Sequence, residues 1–214
     1  MLRVILLGLL VEIYAILVIC CALSFCDLVG ITEHKMKLIF LDIDGVLNST
    51  AQFVVLGQRG ANAEGIDPIA LGLIKFICEK TGAKIVISST WRFCATTFDA
   101  GFEKIAGMFE AKGWNRPPII GQTPRGKTGH RGAEVNMFLE GRTDVERFIC
   151  IDDSVDFFED QNLVHIDDAT GITIRDALQA ITLLGLSDKS FTKEIDDLKS
   201  HTERRTVNEE QSNN

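Results

Sequence analysis

Between Lys37 and Leu186, short apolar runs rich in β-branched residues alternate with longer stretches in which apolar residues recur at helical spacing. This alternation is typical of a parallel sheet with helices on its faces, because each parallel strand needs a crossover connection. The predicted strands are Leu38–Leu41, Lys84–Ile87, Pro118–Ile120, Phe148–Ile151 and Leu163–Ile166. The predicted helices are Pro68–Lys80, Gly101–Lys112, Gly132–Glu140 and Ile174–Leu184. The expected fold is a three-layer, Rossmann-like α/β domain over residues 36–186.

The two ends of the chain differ from this middle part. Residues 4–25 are almost wholly apolar and long enough to span a bilayer, with Glu12 as the main interruption. Within the segment 1–35, a membrane anchor and a true translation start at Met36 are equally favoured, with a cleaved signal sequence behind both. A start at Met36 predicts a cytoplasmic protein, and an anchor predicts membrane association through residues 4–25. The polar residues 187–214 predict a solvated tail.

Composition narrows the class of protein only in part. The 214 residues suit one domain, and 46% hydrophobic with 24% charged residues is typical of a globular chain rather than a disordered or fibrous one. A net charge of −8 argues against a generally basic nucleic-acid-binding surface. Residues 111–133 nevertheless contain no acid and several bases, so a local patch for a phosphate-bearing substrate stays open beside an ordinary solvated loop.

Two acids follow the first predicted strand. Asp42 and Asp44 come directly after Leu38–Leu41 and before Gly45, so both carboxylates are expected where a buried strand ends. Ligands bind at this carboxyl edge in open α/β sheets. One acid of such a pair can attack phosphorus while the other protonates the leaving oxygen, and a divalent cation offsets their repulsion. Taken alone, the same residues also fit an ordinary turn at Gly45.

Polar groups follow two other predicted strands. The second strand ends in the hydroxyl-bearing residues 88–90, which suit phosphoryl oxygens, and the fourth ends in Asp152 and Asp153, which are available to a metal ion. Arg131 stands just before a predicted helix and can neutralise charge on a transferring group. Each group alone also fits a turn, a helix cap or a solvated side chain. Their shared place at one sheet edge predicts a metal-assisted phosphate site.

A competing motif lies after the third predicted strand. Gly121–Thr128 matches G-x-x-x-x-G-K-[ST], the phosphate loop of many nucleoside triphosphatases. That loop needs a helix beginning at its Lys-Thr pair, whereas Gly129 and Gly132 weaken a helix there and favour a start near Arg131. A nucleotide-binding protein that uses Gly121–Thr128 is the alternative function, together with a membrane-tethered interaction protein.

The ordered motifs resemble those of the haloacid dehalogenase-like (HAD) hydrolases. The matching features are Asp42-x-Asp44-Gly-Val, a strand ending in Ser88, a basic residue before the fourth strand, and Asp152-Asp153. The resemblance covers about Met36 to Leu186. More narrowly, LDIDGVLNS, IVISSTWR, RGAEVNMFLE, FICIDDS and DDATGIT resemble the Swiss Army Knife RNA repair-like HAD domains, found beside nucleic-acid end-processing enzymes. The resemblance implies an HAD-like fold with a minimal cap or none.

The resemblance also implies catalytic roles. Asp42 would be a metal ligand and the nucleophile that forms an aspartyl-phosphate. Asp44 would act as general acid and then base, and its backbone carbonyl would bind Mg²⁺. Ser88 would hold the phosphoryl oxygens, with Ser89 as a second candidate. Arg131 would take the position that the superfamily usually gives to lysine.

Further positions complete the expected site. Asp153 would bind Mg²⁺ and Asp152 would support it. Lys127 is a second candidate for the basic position, and Arg92 is a secondary candidate for contact with substrate phosphate. The neighbouring Trp91 either stacks on a base or packs beneath the site.

These expectations combine into a Mg²⁺-dependent phosphomonoesterase. The intervals between the motifs leave no room for a folded cap, so the site is expected to be open. An open site favours a phosphate on an exposed end. The expected partner is therefore a nucleotide or another phosphorylated small molecule, or a polynucleotide end, and the sequence indicates no protein partner.

Overall fold

A computed structural model describes residues 35–56, 65–93 and 101–186. The apolar segment 4–25 and the polar tail 187–214 lie outside these ranges, so the predictions made for them stay predictions. Within the described ranges, none of the helices has the length and apolar character needed to cross a bilayer.

The centre of the domain is a five-stranded sheet in the order β3-β2-β1-β4-β5. Every neighbouring pair is parallel, as the alternating pattern predicts. The strands are β1 (Met36–Leu41), β2 (Lys84–Ile87), β3 (Ile119–Gln122), β4 (Val145–Asp152) and β5 (Leu163–His165). The predicted strands are confirmed, although β1 and β4 begin before the apolar runs that signal them.

Five α-helices connect or flank these strands in the described ranges. They are α1 (Thr50–Leu56), α2 (Pro68–Thr81), α3 (Gly101–Ala111), α4 (Arg131–Leu139) and α5 (Ile174–Leu183), and a short 3₁₀ turn covers Thr90–Phe93. The four predicted helices are confirmed with small shifts at their ends. The sequence did not predict α1, because the exposed Val54 and Val55 give it no apolar face of helical period.

Helix α2 shows how local sequence sets an element's limits. The Asp67 carboxylate accepts a hydrogen bond of 2.8 Å from the Ile69 amide, and Pro68 occupies the first turn, where its missing N–H costs nothing. At the other end Gly82 adopts φ 70° and closes the helix. The helix thus begins and ends where its cap residues require.

The sheet separates two apolar cores, which makes the domain three-layered. Alternate residues of β1 point to opposite faces: Ile39 and Leu41 join a large core with α2, α3 and α5, while Leu38 and Phe40 join a smaller core with α4. Such a fully buried aliphatic side chain contributes about 1.5–3 kcal/mol by leaving water. Both sheet faces are therefore covered, as in a Rossmann-like domain.

Strand register brings the predicted motifs to one edge. Leu41 at the end of β1 aligns with Ile87 of β2 and with Ile151 of β4. The residues that follow these three positions, Asp42, Ser88 and Asp152, are therefore neighbours at the carboxyl edge. Among the described residues no separate cap domain is inserted between these strands.

Candidate active site

The Asp42 carboxylate lies at the centre of this edge. The side chain is buried, and its Oδ1 accepts a hydrogen bond of 2.8 Å from the Ile43 amide. Its Oδ2 lies 2.9 Å from a guanidinium nitrogen of Arg131. The Asp42 amide donates to the carbonyl of Ile151 on β4, which fixes the backbone at the strand end. Asp42 is thus held rigidly beside a cation.

Three carboxylates converge at the ends of β1 and β4. Asp42, Asp152 and Asp153 each offer one oxygen, and these oxygens all lie within 4.8 Å of one another. Asp152 is 1% exposed, and its Oδ1 accepts a hydrogen bond from the Ser154 amide. Its buried Oδ2 makes no hydrogen bond of good geometry, although it lies 3.2 Å from Arg131. The cluster therefore has unused acceptor capacity.

Burial and mutual repulsion disfavour the ionised form of two of these acids. Burial raises the pKa of Asp42 above its ordinary value, while Arg131 and the Ser89 side chain act against this. Burial, and then the charge of Asp42, raise the pKa of Asp152 to about 8, again against Arg131. Burial alone would lower the pKa of Arg131, but the nearby carboxylates outweigh it and raise that pKa. The single positive charge of Arg131 thus cannot balance the negative charges of the three neighbouring carboxylates.

Arg131 is positioned by the start of α4. Its Nη1 donates 2.9 Å to the Ser88 carbonyl, which ties it to the end of β2. His130 caps the helix by accepting the Ala133 amide at Nδ1, and its Nε2 lies 3.0 Å from Asp156. The Asp156 carboxylate also accepts the Arg131 amide. These contacts place Arg131, rather than Lys127, between the acids. Lys127 is exposed on the preceding loop.

Both carboxylate oxygens of Asp44 are held by side chains. Asn48 donates 2.9 Å to Oδ1, and the Trp91 indole donates 2.7 Å to Oδ2. Trp91 is 5% exposed, so it packs beneath the site as one of the two predictions has it. Sequence reasoning missed its contact with Asp44 and missed Asn48 altogether. Both residues stand next to a motif, but nothing in the local sequence indicates that they contact the Asp44 carboxylate.

Gly45 permits the close approach of Asp44's loop to Asp153. It adopts φ 73°, and a Cβ built there would lie 2.4 Å from Asp153 Oδ2. Any side chain at this position would push Asp153 away from the acidic cluster. Glycine is therefore required both for the backbone conformation and for the space.

Ser88 and Ser89 divide the space after β2. Both serines are buried, but Ser88 lines a cavity together with Arg131, whereas Ser89 does not line it and its side chain instead lowers the pKa of Asp42. This arrangement supports Ser88 as the hydroxyl available to a ligand.

The structure gives Arg92 a place different from the one expected. Its side chain is 2% exposed and forms a buried ion pair with Glu134 on α4. Its other guanidinium hydrogen bonds go to the carbonyls of Ser88, Ser89 and Thr123. All these groups belong to the loops that follow β2 and β3. Arg92 therefore joins those loops, and because it also lines the cavity beside Ser88 and Arg131, its contact with substrate phosphate stays a prediction.

The glycine-rich loop does not form a nucleoside triphosphate cradle. A phosphate loop requires a helix beginning at Lys127-Thr128, whereas α4 begins at Arg131. The amide of Gly126, which would face phosphate in such a loop, donates instead to the Glu134 carboxylate. Gly121 lies within β3 and so belongs to the sheet. The alternative function based on Gly121–Thr128 therefore lacks its structural basis.

The residues present fit a hard divalent cation such as Mg²⁺. Carboxylate oxygens are its preferred protein ligands, and Asp42, Asp152 and Asp153 bring three of them together. A cation there would also occupy the unused oxygen of Asp152 and favour the ionised forms that burial disfavours. The Asp44 carboxylate is hydrogen-bonded to Trp91 and Asn48. Its backbone carbonyl takes no part in those two hydrogen bonds and is the atom of Asp44 that could bind the cation.

A parallel Rossmann-like sheet with acids at the ends of β1 and β4, and a basic residue before β4, has the features of an HAD-type domain. The family model described as "HAD domain in Swiss Army Knife RNA repair proteins" matches residues 38–177. Because this match covers more than half of the chain, the protein belongs to that family. Searches of curated proteins and of solved structures found no match.

Proposed function

We propose that this domain is a Mg²⁺-dependent phosphomonoesterase that acts through an aspartyl-phosphate on Asp42. The observation that carries the proposal is the meeting of Asp42, Asp152 and Asp153 beside Arg131 at the carboxyl edge of the sheet. When bound to the acids, Mg²⁺ supplies positive charge that draws the phosphate to the site and withdraws electron density from phosphorus.

In the first step, a carboxylate oxygen of Asp42 attacks phosphorus, and the bond from phosphorus to the ester oxygen breaks. Asp44 gives its proton to that departing oxygen, so the alcohol leaves neutral. Arg131 and the Ser88 hydroxyl hold the other phosphoryl oxygens while their charge increases. Trp91 and Asn48 hold the Asp44 carboxyl in one orientation, which keeps it aligned for this transfer.

In the second step, Asp44 takes a proton from water and the water oxygen attacks phosphorus. The bond between Asp42 and phosphorus then breaks, which restores the Asp42 carboxylate and releases inorganic phosphate. Asp44 regains the proton that the next cycle requires. The sequence consumes one water for each ester, and no redox change occurs.

The proposed substrates are nucleic-acid ends and nucleotides. The matching family is described as the HAD domain in Swiss Army Knife RNA repair proteins. We infer that a phosphatase domain in such a protein would act on phosphates at nucleic-acid ends. The loop before Arg131 contains Arg125 and Lys127 and no acid, which suits a polyanion. Arg125 and Gly129 of this loop line the cavity beside Ser88 and Arg131.

The test is hydrolysis of a terminally phosphorylated oligonucleotide, a nucleoside monophosphate and a generic phosphate ester, with Mg²⁺ and with a chelator. We expect turnover only with Mg²⁺, and Asp42→Asn should reduce kcat by about 10³-fold or more. Asp144→Asn changes a half-exposed acid just before the start of β4, at the other end of that strand, and is the matched control. Full activity in Asp42→Asn would rule out the covalent mechanism.

A further inference from the structure

A cavity beside the acidic site has a wall that the proposed phosphate chemistry does not use. The cavity measures about 250 Å³, and Ser88 and Arg131 form the side next to the phosphate position. Phe93 and Arg125 form part of its wall, with the Arg125 guanidinium carbon 5.0 Å from the centre of the Phe93 ring. An aromatic ring and a planar cation therefore lie beside the two residues proposed to hold the phosphoryl oxygens.

Among the arginines that line this cavity, Arg125 is the one whose positive charge is available to a ligand. The charge of Arg131 is shared with Asp42 and Asp152, and that of Arg92 is paired with Glu134. Arg125 is exposed, and no acidic side chain in the described part of the chain forms an ion pair with it. Its contact with Phe93 orients the guanidinium while leaving it open to a ligand.

The size and chemistry of the wall select the ligand. A volume of about 250 Å³ is below the usual range for a whole drug-sized ligand and suits one compact group attached to the phosphate. The phosphate itself is already assigned to Arg131 and Ser88, so Arg125 is left to bind the group attached to it. A guanidinium that lies against a phenyl ring can offer its other flat face to a further planar group. The bases of single-stranded nucleic acids stack on arginine and aromatic side chains of proteins in this way.

We propose that this cavity is a nucleobase site, in which the base of the nucleotide bearing the terminal phosphate stacks on the Phe93-supported guanidinium of Arg125. The proposal rests on the proposed function, because it assigns the group that stays attached to the departing oxygen. It makes Arg125 and Phe93 the residues that distinguish a nucleotide from a phosphate ester without a base.

The experiment measures binding separately from turnover. Asp42→Asn protein with Mg²⁺ is titrated in a calorimeter with adenosine monophosphate and with ribose 5-phosphate, which lacks the base. We expect tighter binding of the nucleotide. Adding Arg125→Ala should weaken nucleotide binding by about tenfold and leave ribose 5-phosphate unchanged. Arg125→Lys should behave like Arg125→Ala, because lysine keeps the charge but not the planar face.

A matched control is available on the same protein. Arg142 lies 4.4 Å from the centre of the Phe138 ring, at the opposite end of α4 from Arg131, and does not line the cavity. Arg142→Ala should leave both affinities unchanged. Phe93→Leu removes the ring that contacts Arg125 at 5.0 Å and Arg92 at 4.2 Å, and it should weaken nucleotide binding in the same direction as Arg125→Ala.

Three results would overturn the nucleobase site. They are equal or weaker binding of the nucleotide relative to ribose 5-phosphate, equal losses for both ligands in Arg125→Ala, and full nucleotide affinity in Arg125→Lys, which would indicate a phosphate contact. Failure of the proposed function appears elsewhere, as absence of turnover of every ester by the unmodified protein. The two failures are therefore distinguishable.

Discussion

The indole Nε1 of Trp91 donates a hydrogen bond of 2.7 Å to Oδ2 of Asp44. This contact joins the 3₁₀ turn after β2 to the loop after β1, so the second acid of the site is oriented by a residue from another motif. Neutral donors to a carboxylate contribute about 1.5–3 kcal/mol. The contact should therefore matter when Asp44 moves a proton.

Trp91→Phe should reduce kcat by about tenfold with little change in KM, because it removes the donor to Asp44 while a phenyl ring still fills part of the indole's place. Steady-state kinetics with a generic phosphate ester measures both constants. Trp114→Phe is the control: Trp114 is also buried, and it stacks on Phe109 rather than touching Asp44. Unchanged kcat in Trp91→Phe would show that Asn48 alone orients the acid.

Gly45→Ala should abolish Mg²⁺ binding at the acidic cluster. The new Cβ would lie 2.4 Å from Asp153 Oδ2, so Asp153 must move out of the cluster. Gly82→Ala separates this effect from backbone strain, since Gly82 also has positive φ but no neighbouring atom within 4 Å of a built Cβ. Gly82→Ala should lose about 1–2 kcal/mol of stability from backbone strain, and Gly45→Ala should lose more because the new Cβ also clashes with Asp153.

Calorimetric titration with Mg²⁺ should then distinguish Gly45→Ala from Gly82→Ala. We expect Gly82→Ala to bind the ion like the parent and Gly45→Ala to show no binding. Normal binding by Gly45→Ala would mean that Asp153 does not hold the ion.

Arg92→Met should destabilise the domain by about 3–5 kcal/mol, because it leaves the Glu134 carboxylate buried without its partner. Urea denaturation measures the loss. Combining Arg92→Met with Glu134→Gln should recover part of it, since the unpaired charge is then gone. The exposed pair Lys75–Glu79 is the control, and Lys75→Met there should change stability by about 1 kcal/mol or less. A loss that small for Arg92→Met would contradict the buried role.

Stability without metal should fall as pH rises from 5 to 9. The Asp152 pKa is raised from 3.8 to about 8, so the folded protein holds a proton that the unfolded chain releases. A raised pKa contributes stability that is present below 3.8 and is lost as pH rises through about 8. Because Mg²⁺ competes with that proton, its apparent affinity should rise over the same range.

The pH prediction is tested by urea denaturation at several pH values, in parent protein and in Asp152→Asn. We expect the stability difference between the two to change steadily with pH when metal is absent, and this change to weaken when Mg²⁺ is saturating. A difference that stays constant from pH 5 to 9 would mean that Asp152 does not hold the proton.

The sequence predicted the elements and the motif acids because those depend on local pattern. Strands β2 and β4 are signalled by β-branched apolar runs, and Asp42 and Asp152 by their position directly after such runs. Parallel pairing then brings those acids to the same edge without further information. This much of the site follows from spacing along the chain.

The contacts that the sequence did not predict join residues far apart in the chain. Arg92 looks like a free cation beside a phosphate motif, and only the folded position of Glu134 shows that its charge is already paired. The indole of Trp91 gives no local sign of reaching Asp44. Such partners depend on how helix α4 and the 3₁₀ turn pack on the sheet, and no periodicity encodes that geometry.

The link between Asp156 and the start of α4 has a consequence for how this domain can change. Because the Asp156 carboxylate accepts the Arg131 amide and also contacts His130, the basic residue and the acids at the end of β4 are fixed to one another at the carboxyl edge. The chain between them turns at residues 140–144, on the opposite edge of the sheet. That turn can gain or lose residues in evolution, or accept an inserted tag, without altering the spacing of the charges on which the chemistry depends.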